Sequence, residues 1–136
     1  MIFKDKLAVI GLGYVGLPLA IAFSKKMKVL GFDIDKNRIK NLKKGIDSNN
    51  ESVDEITSCD VHFTSNEENL KETKYFIITV PTPVNKAKVP NMNAVINATK
   101  LVSKYISKDS FIIYESTFYP GVTEEICLPI IEKISG

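Results

Sequence analysis

Short apolar runs alternate with longer segments of helical periodicity along the whole chain. Leu7 to Gly11, Val29 to Phe32, Val61 to Thr64, Tyr75 to Val80 and Phe111 to Tyr114 are apolar and rich in β-branched residues, and they predict five strands. Tyr14 to Lys26 predicts a buried helix with Pro18 near its first turn, where a missing N–H is tolerated. Asp35 to Lys44 predicts an amphipathic helix with Ile39 and Leu42 inward and Gly45 as its stop. Ile46 to Ser58 is polar, with a short helix expected near Ser52 to Thr57. Ser65 to Glu72 opens with a Ser-x-x-Glu capping box, Ser65 and Glu68. Pro81 to Pro90 reads as a loop. Met92 to Ile106 reads as a long helix burying Val95, Ile96, Ala98, Thr99, Val102 and Ile106, and Gly121 to Ser135 as a last helix.

Strands that are apolar on both faces and alternate with helices imply a parallel sheet covered on both sides. Right-handed crossovers make it a doubly wound α/β sheet. Ligands of such sheets sit outside the carboxyl ends of the strands. The segments to inspect are therefore Gly11 to Gly16, Asp33, Val80 to Pro83 and Glu115 to Gly121.

A chain of 136 residues with no repeat or linker is expected to form one domain, residues 1–136, able to bury roughly two-thirds of its unfolded surface. Its 44% hydrophobic and 25% charged content is that of an ordinary globular protein. The longest apolar stretch, Val15 to Phe23, is too short to span a bilayer, so no membrane partner is expected. Met1 to Lys6 leads into a strand without a signal peptide, and the two cysteines form no CxxC or metal pattern. A cytoplasmic location is expected, with no metal. Residues 1–50 carry ten basic and four acidic side chains, residues 51–136 eight and twelve. The lysines around Arg38 read as a solvated helix face. No aromatic residues interleave with them, so nucleic acid is not expected as a partner. The end at Gly136, after a helix with no return strand, reads as a segment of a longer protein.

The first strand runs into Gly11-Leu-Gly13-Tyr-Val-Gly16, and Asp33 closes the second strand 17 positions after Gly16. Strand, GxGxxG, helix, strand, acid is the order that a Rossmann-type dinucleotide phosphate site requires. Gly11 permits the sharp turn, Gly13 lets a pyrophosphate approach, and Gly16 lets the helix pack closely. The helix start offers N–H groups and a positive dipole to the phosphates. Asp33 can accept from both hydroxyls of an adenosine ribose and disfavours a 2′-phosphate, which predicts NAD over NADP.

The other strand ends carry less specific chemistry. Val80-Pro81-Thr82-Pro83 is a stiff wall with one hydroxyl, or simply a proline turn out of a strand. In Glu115-Ser116-Thr117-Phe-Tyr-Pro120-Gly121, Thr117 is the best placed to order a water or a substrate group. Glu124 and Glu125 complement a helix dipole. Glu115 could be a buried acid or a surface residue. Cys127, mid-helix among isoleucines, reads as a buried thiol rather than a nucleophile, and His62 as structural.

Taken together, Gly11-Leu-Gly13-Tyr-Val-Gly16-Leu-Pro18, Phe32-Asp33-Ile, Val80-Pro81-Thr82-Pro83 and Glu115-Ser116-Thr117-Phe-Tyr-Pro120-Gly121-Val-Thr123-Glu124-Glu125 make the chain resemble the UDP-glucose/GDP-mannose dehydrogenase family. The resemblance is strongest to the bacterial branch acting on UDP-N-acetylhexosamines for surface polysaccharides. It implies a fold of the Rossmann type and NAD as the cofactor. It implies oxidation of the C6 alcohol of a nucleotide sugar to a carboxylate, through a cysteine-bound thiohemiacetal and two NAD. Gly11, Gly13, Tyr14, Val15 and Gly16 would hold the pyrophosphate, and Asp33 the ribose with Arg38 nearby. Thr82 and Pro83 would line the cofactor, and Thr117 would sit near the nicotinamide and position a catalytic water.

The family's catalytic cysteine, with its lysine and asparagine partners, belongs to a later segment. So do the central dimerising helix and the sugar-nucleotide domain. Neither Cys59 nor Cys127 sits in the cysteine motif. The resemblance thus implies an NAD-binding N-terminal domain of an enzyme that is a homodimer when complete and takes a UDP-sugar. This chain alone would bind NAD without turning over sugar. Another two-domain NAD dehydrogenase, of the 6-phosphogluconate or hydroxyacyl-CoA type, fits the glycine motif but not the Val-Pro-Thr-Pro and Glu-Ser-Thr loops. A non-catalytic NAD-sensing module stays open. A purely structural fold needs neither Asp33 nor three spaced glycines.

Overall fold

In a computed structural model, residues 3–48 and 53–136 are described. Five strands, β1 (Phe3–Ile10), β2 (Met27–Phe32), β3 (Val61–Thr64), β4 (Tyr75–Ile78) and β5 (Phe111–Tyr114), form one sheet. All its pairings are parallel, in the order β3-β2-β1-β4-β5. The chain winds outward from β1 to β3, then returns to place β4 against the other edge of β1. That reversal opens a crevice beyond the carboxyl ends of β1 and β4.

Five α-helices cover the sheet: α1 (Gly16–Ser24), α2 (Lys36–Lys43), α3 (Val53–Ser58), α4 (Asn93–Ser103) and α5 (Leu128–Ser135). On one face, Leu17 and Ala20 of α1, Ile39 and Leu42 of α2 and Ile56 of α3 bury against Leu7, Val9, Val29, Phe63 and Ile77. On the other, Ala98 and Val102 of α4 bury against Ala8, Ile10, Leu30, Phe32, Phe76 and Ile78. Alternate residues of β1 serve opposite faces, as the period of a strand requires. Burying each large aliphatic side chain stabilises the fold by about 1.5–3 kcal/mol, so the central strand anchors both layers. A third cluster, Met92, Val95, Val122 and Cys127, fastens the last helical segment to α4.

The expected doubly wound sheet is present, and most element boundaries fall within two residues of those read from the pattern. Asp35 caps α2, its Oδ1 accepting from the Asn37 and Arg38 N–H groups at 2.9 and 3.2 Å, worth about 1 kcal/mol. Gly45, with φ +76°, ends that helix as expected. The predicted short helix appears as Val53–Ser58, and Ser52 lies outside the described residues.

Four expectations are corrected. The first helix begins at Gly16, because Tyr14 and Val15 belong to the turn that leads into it. The Ser65–Glu68 capping box does not form. Asn66 caps instead, its side-chain oxygen accepting from the Glu68 N–H at 3.1 Å, and the element is a single 3-10 turn, Glu67–Leu70. The Asn66 N–H is itself taken by Thr64 Oγ1 at 3.0 Å. The long helix is shorter, Asn93–Ser103, and leaves Ile96 and Ile106 only partly buried. The last helix is not uniform: Thr123–Cys127 is a π turn before α5. Pro129 has no N–H for the ladder, and the chain widens just before it.

No helix among the described residues is long and apolar enough to cross a membrane. No group of three or more His, Cys, Asp or Glu side chains among them could hold a metal ion.

Candidate functional site

The crevice at the strand reversal is a cavity of about 1010 Å3, within the range of ligand sites. Its walls are the glycine turn, the Asp33–Asp35 end of β2, Thr79–Thr82 after β4, Glu115–Thr117 after β5, and one face of α4.

The glycine turn is built by close approach. Gly11 has φ +96°, and a Cβ there would come within 3.1 Å of the Val80 backbone nitrogen. A Cβ on Gly16 would lie 1.8 Å from the Gly11 carbonyl oxygen and 2.5 Å from Thr79 Oγ1. Gly16 therefore packs against the turn itself rather than lining the cavity. Gly13 is the opposite case: a Cβ there meets nothing within 4 Å, so the space beside its backbone is open. Among the described residues, the Gly13, Tyr14 and Val15 N–H groups donate to no protein acceptor, and no side chain caps α1. Three free amides at an uncapped helix start fit an anionic pyrophosphate.

The Thr79 hydroxyl is buried and reaches the Gly11 carbonyl at 2.6 Å, with the Ile10 carbonyl at 3.1 Å. It pins the turn to the end of β4. Thr79 escaped the sequence reading because it hides in a run that reads as apolar strand. Only its place directly before Val80-Pro81 could have marked it.

Asp33 is half-buried at the tip of β2 and faces the cavity. Its Oδ2 accepts from the Leu12 N–H at 2.9 Å and its Oδ1 from the Asp35 N–H at 3.0 Å. Each carboxylate oxygen keeps a second lone pair for a ribose hydroxyl. Arg38 also reaches Leu12: its Nε and one Nη donate to the Leu12 carbonyl at 2.8 and 2.6 Å. The other Nη pairs with Asp47 Oδ1 at 2.6 Å. Asp47, whose side chain is fully buried, was not foreseen; nothing in its polar surroundings distinguishes it in the sequence.

Two hydroxyls join the other strand ends. Thr82 Oγ1 donates to the Thr117 carbonyl at 3.0 Å, and Ser116 Oγ donates to the Val80 carbonyl at 2.7 Å. Thr117 is exposed at the cavity rim. Pro83 stands outside the cavity wall, and its carbonyl accepts from the Asn91 N–H at 2.8 Å. Tyr14, 81% exposed, lies at the mouth. Glu115 is exposed, as one of its two readings had it. Cys127 is buried, while His62 is exposed on β3, away from the crevice.

The profile of the UDP-glucose/GDP-mannose dehydrogenase family, NAD binding domain, matches residues 5–136. The chain belongs to that family. It is the family's NAD-binding domain, with the Rossmann-type fold expected of it, and the match sets aside the 6-phosphogluconate and hydroxyacyl-CoA types. Protein CapL of Staphylococcus aureus is 47% identical over 131 residues, 96% of this chain and 31% of that protein. The UDP-N-acetyl-D-glucosamine 6-dehydrogenase of Pseudomonas aeruginosa is 47% identical over 136 residues, 98% of this chain and 32% of that protein. Among solved structures, the UDP-D-ManNAc dehydrogenase of Pyrococcus horikoshii superimposes with a TM-score of 0.87 at 33% identity, covering 96% of this chain and 32% of that one. The chain thus spans about a third of the length of these family members.

Proposed function

We propose that this chain carries the NAD site of a nucleotide-sugar 6-dehydrogenase, a cytoplasmic enzyme that oxidises the C6 alcohol of a UDP-N-acetylhexosamine to a carboxylate for surface polysaccharide synthesis. The observation that carries the reading is the glycine turn: three unpaired amides beside an open Cβ position, with Asp33 across the cavity. The relatives that share 47% of its residues include a UDP-N-acetyl-D-glucosamine 6-dehydrogenase, which supports the substrate class.

In this reading the Gly13, Tyr14 and Val15 amides take the pyrophosphate, helped by the dipole of α1. Asp33 takes the adenosine ribose. Thr82 works from inside the wall, its hydroxyl holding the Thr117 carbonyl so that the Glu115–Thr117 loop stays at the nicotinamide end. Thr117 then offers its own hydroxyl at the rim to a water. NAD, when bound, supplies the hydride acceptor, and two equivalents are needed to take an alcohol to a carboxylate. The nucleophile, the sugar pocket and the homodimer contacts are assigned to the rest of the parent enzyme, and Pro83 to the shape of the loop.

Calorimetric titration of this chain with NAD and NADP tests the cofactor part. Binding of NAD well above NADP, lost in Asp33→Ala, is expected; equal binding of both, or none, overturns it. Mixing the chain with NAD and UDP-N-acetylglucosamine is expected to yield no NADH, whereas the complete parent enzyme yields two per sugar. Failure of the parent to oxidise any UDP-N-acetylhexosamine overturns the substrate assignment and favours a sensing module.

A further inference from the structure

The chain places two residue types at the β2 end that pull in opposite directions. An acid at the strand tip suits the free 2′-hydroxyl of NAD, and an arginine nearby is what NADP sites use for the 2′-phosphate. Here both are present, Asp33 and Arg38, five residues apart, and both face the same cavity. Residue types therefore do not decide between the cofactors; where the guanidinium is held does.

Arg38 is held on two sides. Its Nε and one Nη converge on the Leu12 carbonyl, and its remaining Nη meets Asp47 at 2.6 Å. The Arg38 side chain is 13% exposed and that of Asp47 not at all. A neutral carbonyl alone is a weak competitor for a guanidinium against a phosphate, since the phosphate adds a full opposite charge and accepts the guanidinium fork through two oxygens. The buried carboxylate changes that comparison. A guanidinium turning toward a 2′-phosphate would have to break its pair with a fully buried carboxylate, which opposes the move.

We infer that Asp47 is a specificity-determining residue for the cofactor: it holds Arg38 on the Leu12 carbonyl and so denies NADP its phosphate partner. The inference rests on the NAD reading of this cavity and deepens it. Asp33 excludes the 2′-phosphate by repulsion, and Asp47 excludes it by occupying the guanidinium five residues further on. A purely structural role for Asp47 would weaken both cofactors together; a specificity role changes their ratio.

The chain has no tryptophan, so NADH and NADPH can both be followed by their own fluorescence. Dissociation constants for both are measured at one salt concentration for the native chain and for Asp47→Ala. The variant is expected to close the gap between NADH and NADPH by about tenfold, the scale of one charge-assisted hydrogen bond. Adding Arg38→Gln to Asp47→Ala is expected to abolish the gain. Adding Lys40→Gln instead restores the same net charge on an exposed position and is expected to leave the gain in place. Asp47→Asn keeps the shape and removes the charge; it closes the gap by a smaller factor and decides the matter if Asp47→Ala melts below the assay temperature.

An unchanged ratio in an Asp47 variant that still binds NADH overturns the inference and leaves the NAD reading standing. A gain that survives Arg38→Gln, or vanishes with Lys40→Gln, overturns it as well, since it would then be general Coulombic attraction. A native chain that binds neither nucleotide overturns the NAD reading and the inference with it.

Discussion

Asp33 Oδ2 accepts the Leu12 N–H at 2.9 Å, so the acid aimed at the cofactor's ribose also holds the glycine turn in place. The two roles make Asp33→Ala a double loss. NAD affinity is expected to fall at least about tenfold, the worth of one charge-assisted hydrogen bond. Stability is expected to fall by about 1–2 kcal/mol, because the Leu12 and Asp35 amides lose their acceptor. Asp33→Asn retains one acceptor oxygen and is expected to recover part of the stability but little of the affinity. Calorimetric titration and urea unfolding on the same samples separate the two effects.

Two glycines of the turn, Gly16 and Gly13, are expected to respond differently to alanine. At Gly16 a methyl group would sit 1.8 Å from the Gly11 carbonyl oxygen, which is backbone and cannot move aside cheaply. Gly16→Ala is expected to cost about 3 kcal/mol or more, near the severe end for single substitutions. At Gly13 the same methyl meets nothing within 4 Å. Gly13→Ala is expected to leave the melting temperature unchanged or slightly raised, since alanine restricts the unfolded chain. It is nonetheless expected to weaken NAD strongly, because the methyl stands where the pyrophosphate would approach. Thermal melts with and without NAD distinguish a glycine kept for folding from one kept for the ligand.

The doubly wound parallel sheet and the crevice at its strand ends were legible in the sequence because apolar runs and glycine spacing are local patterns, whereas the strand order is a tertiary fact. Leu7 to Gly11 reads as strand whatever lies beside it. What was not legible depends on contacts distant in sequence. Thr79 resembles any strand threonine until its hydroxyl is seen on the Gly11 carbonyl, 68 residues away. Asp47 looks like loop polarity until Arg38 meets it. The direction of the Thr82 hydroxyl, toward Thr117 rather than into the cavity, is likewise a tertiary fact. The Ser65 capping box failed for a local reason of a different kind, since the Asn66 side chain accepts the Glu68 N–H that the Ser65 hydroxyl would have taken and so moves the cap. Nor did periodicity register the π turn, because Pro129 was absorbed into an otherwise helical pattern.

The β4 and β5 ends are tied by a reciprocal pair of bonds, Thr82 to the Thr117 carbonyl and Ser116 to the Val80 carbonyl. Thr82→Val and Ser116→Ala each remove one hydroxyl and are each expected to cost about 0.5–1.5 kcal/mol. Because both bonds hold the same two loops, the double substitution is expected to deviate from additivity by at least about 0.5 kcal/mol. Strict additivity in urea unfolding would mean that the loops are held independently.

Tyr114 links the far side of the same loop to the core, and its contribution depends on pH. Its hydroxyl lies 2.8 Å from Thr99 Oγ1, and Thr99 has already spent its one hydrogen on the Val95 carbonyl at 2.8 Å. Tyr114 is therefore the donor of that bond. Burial pushes its ionisation above the ordinary 10.0, and the neighbouring Cys127 thiol adds to the rise. A group whose ionisation is raised by folding contributes fully below its unfolded value and loses that contribution as pH climbs toward the folded one. Stability is thus expected to be level through pH 9 and to fall above pH 10. The slope approaches about 1.4 kcal/mol per pH unit at most, and is smaller in proportion to the partial exposure of the half-buried ring. Tyr114→Phe is expected to cost about 1 kcal/mol at pH 7 through the lost hydrogen bond, and to flatten this alkaline slope. Tyr105, also raised by its surroundings, to about 12, ionises in the same window. The quantity to measure is therefore the difference between native and Tyr114→Phe unfolding free energies from pH 8 to 11, which is expected to narrow as pH rises.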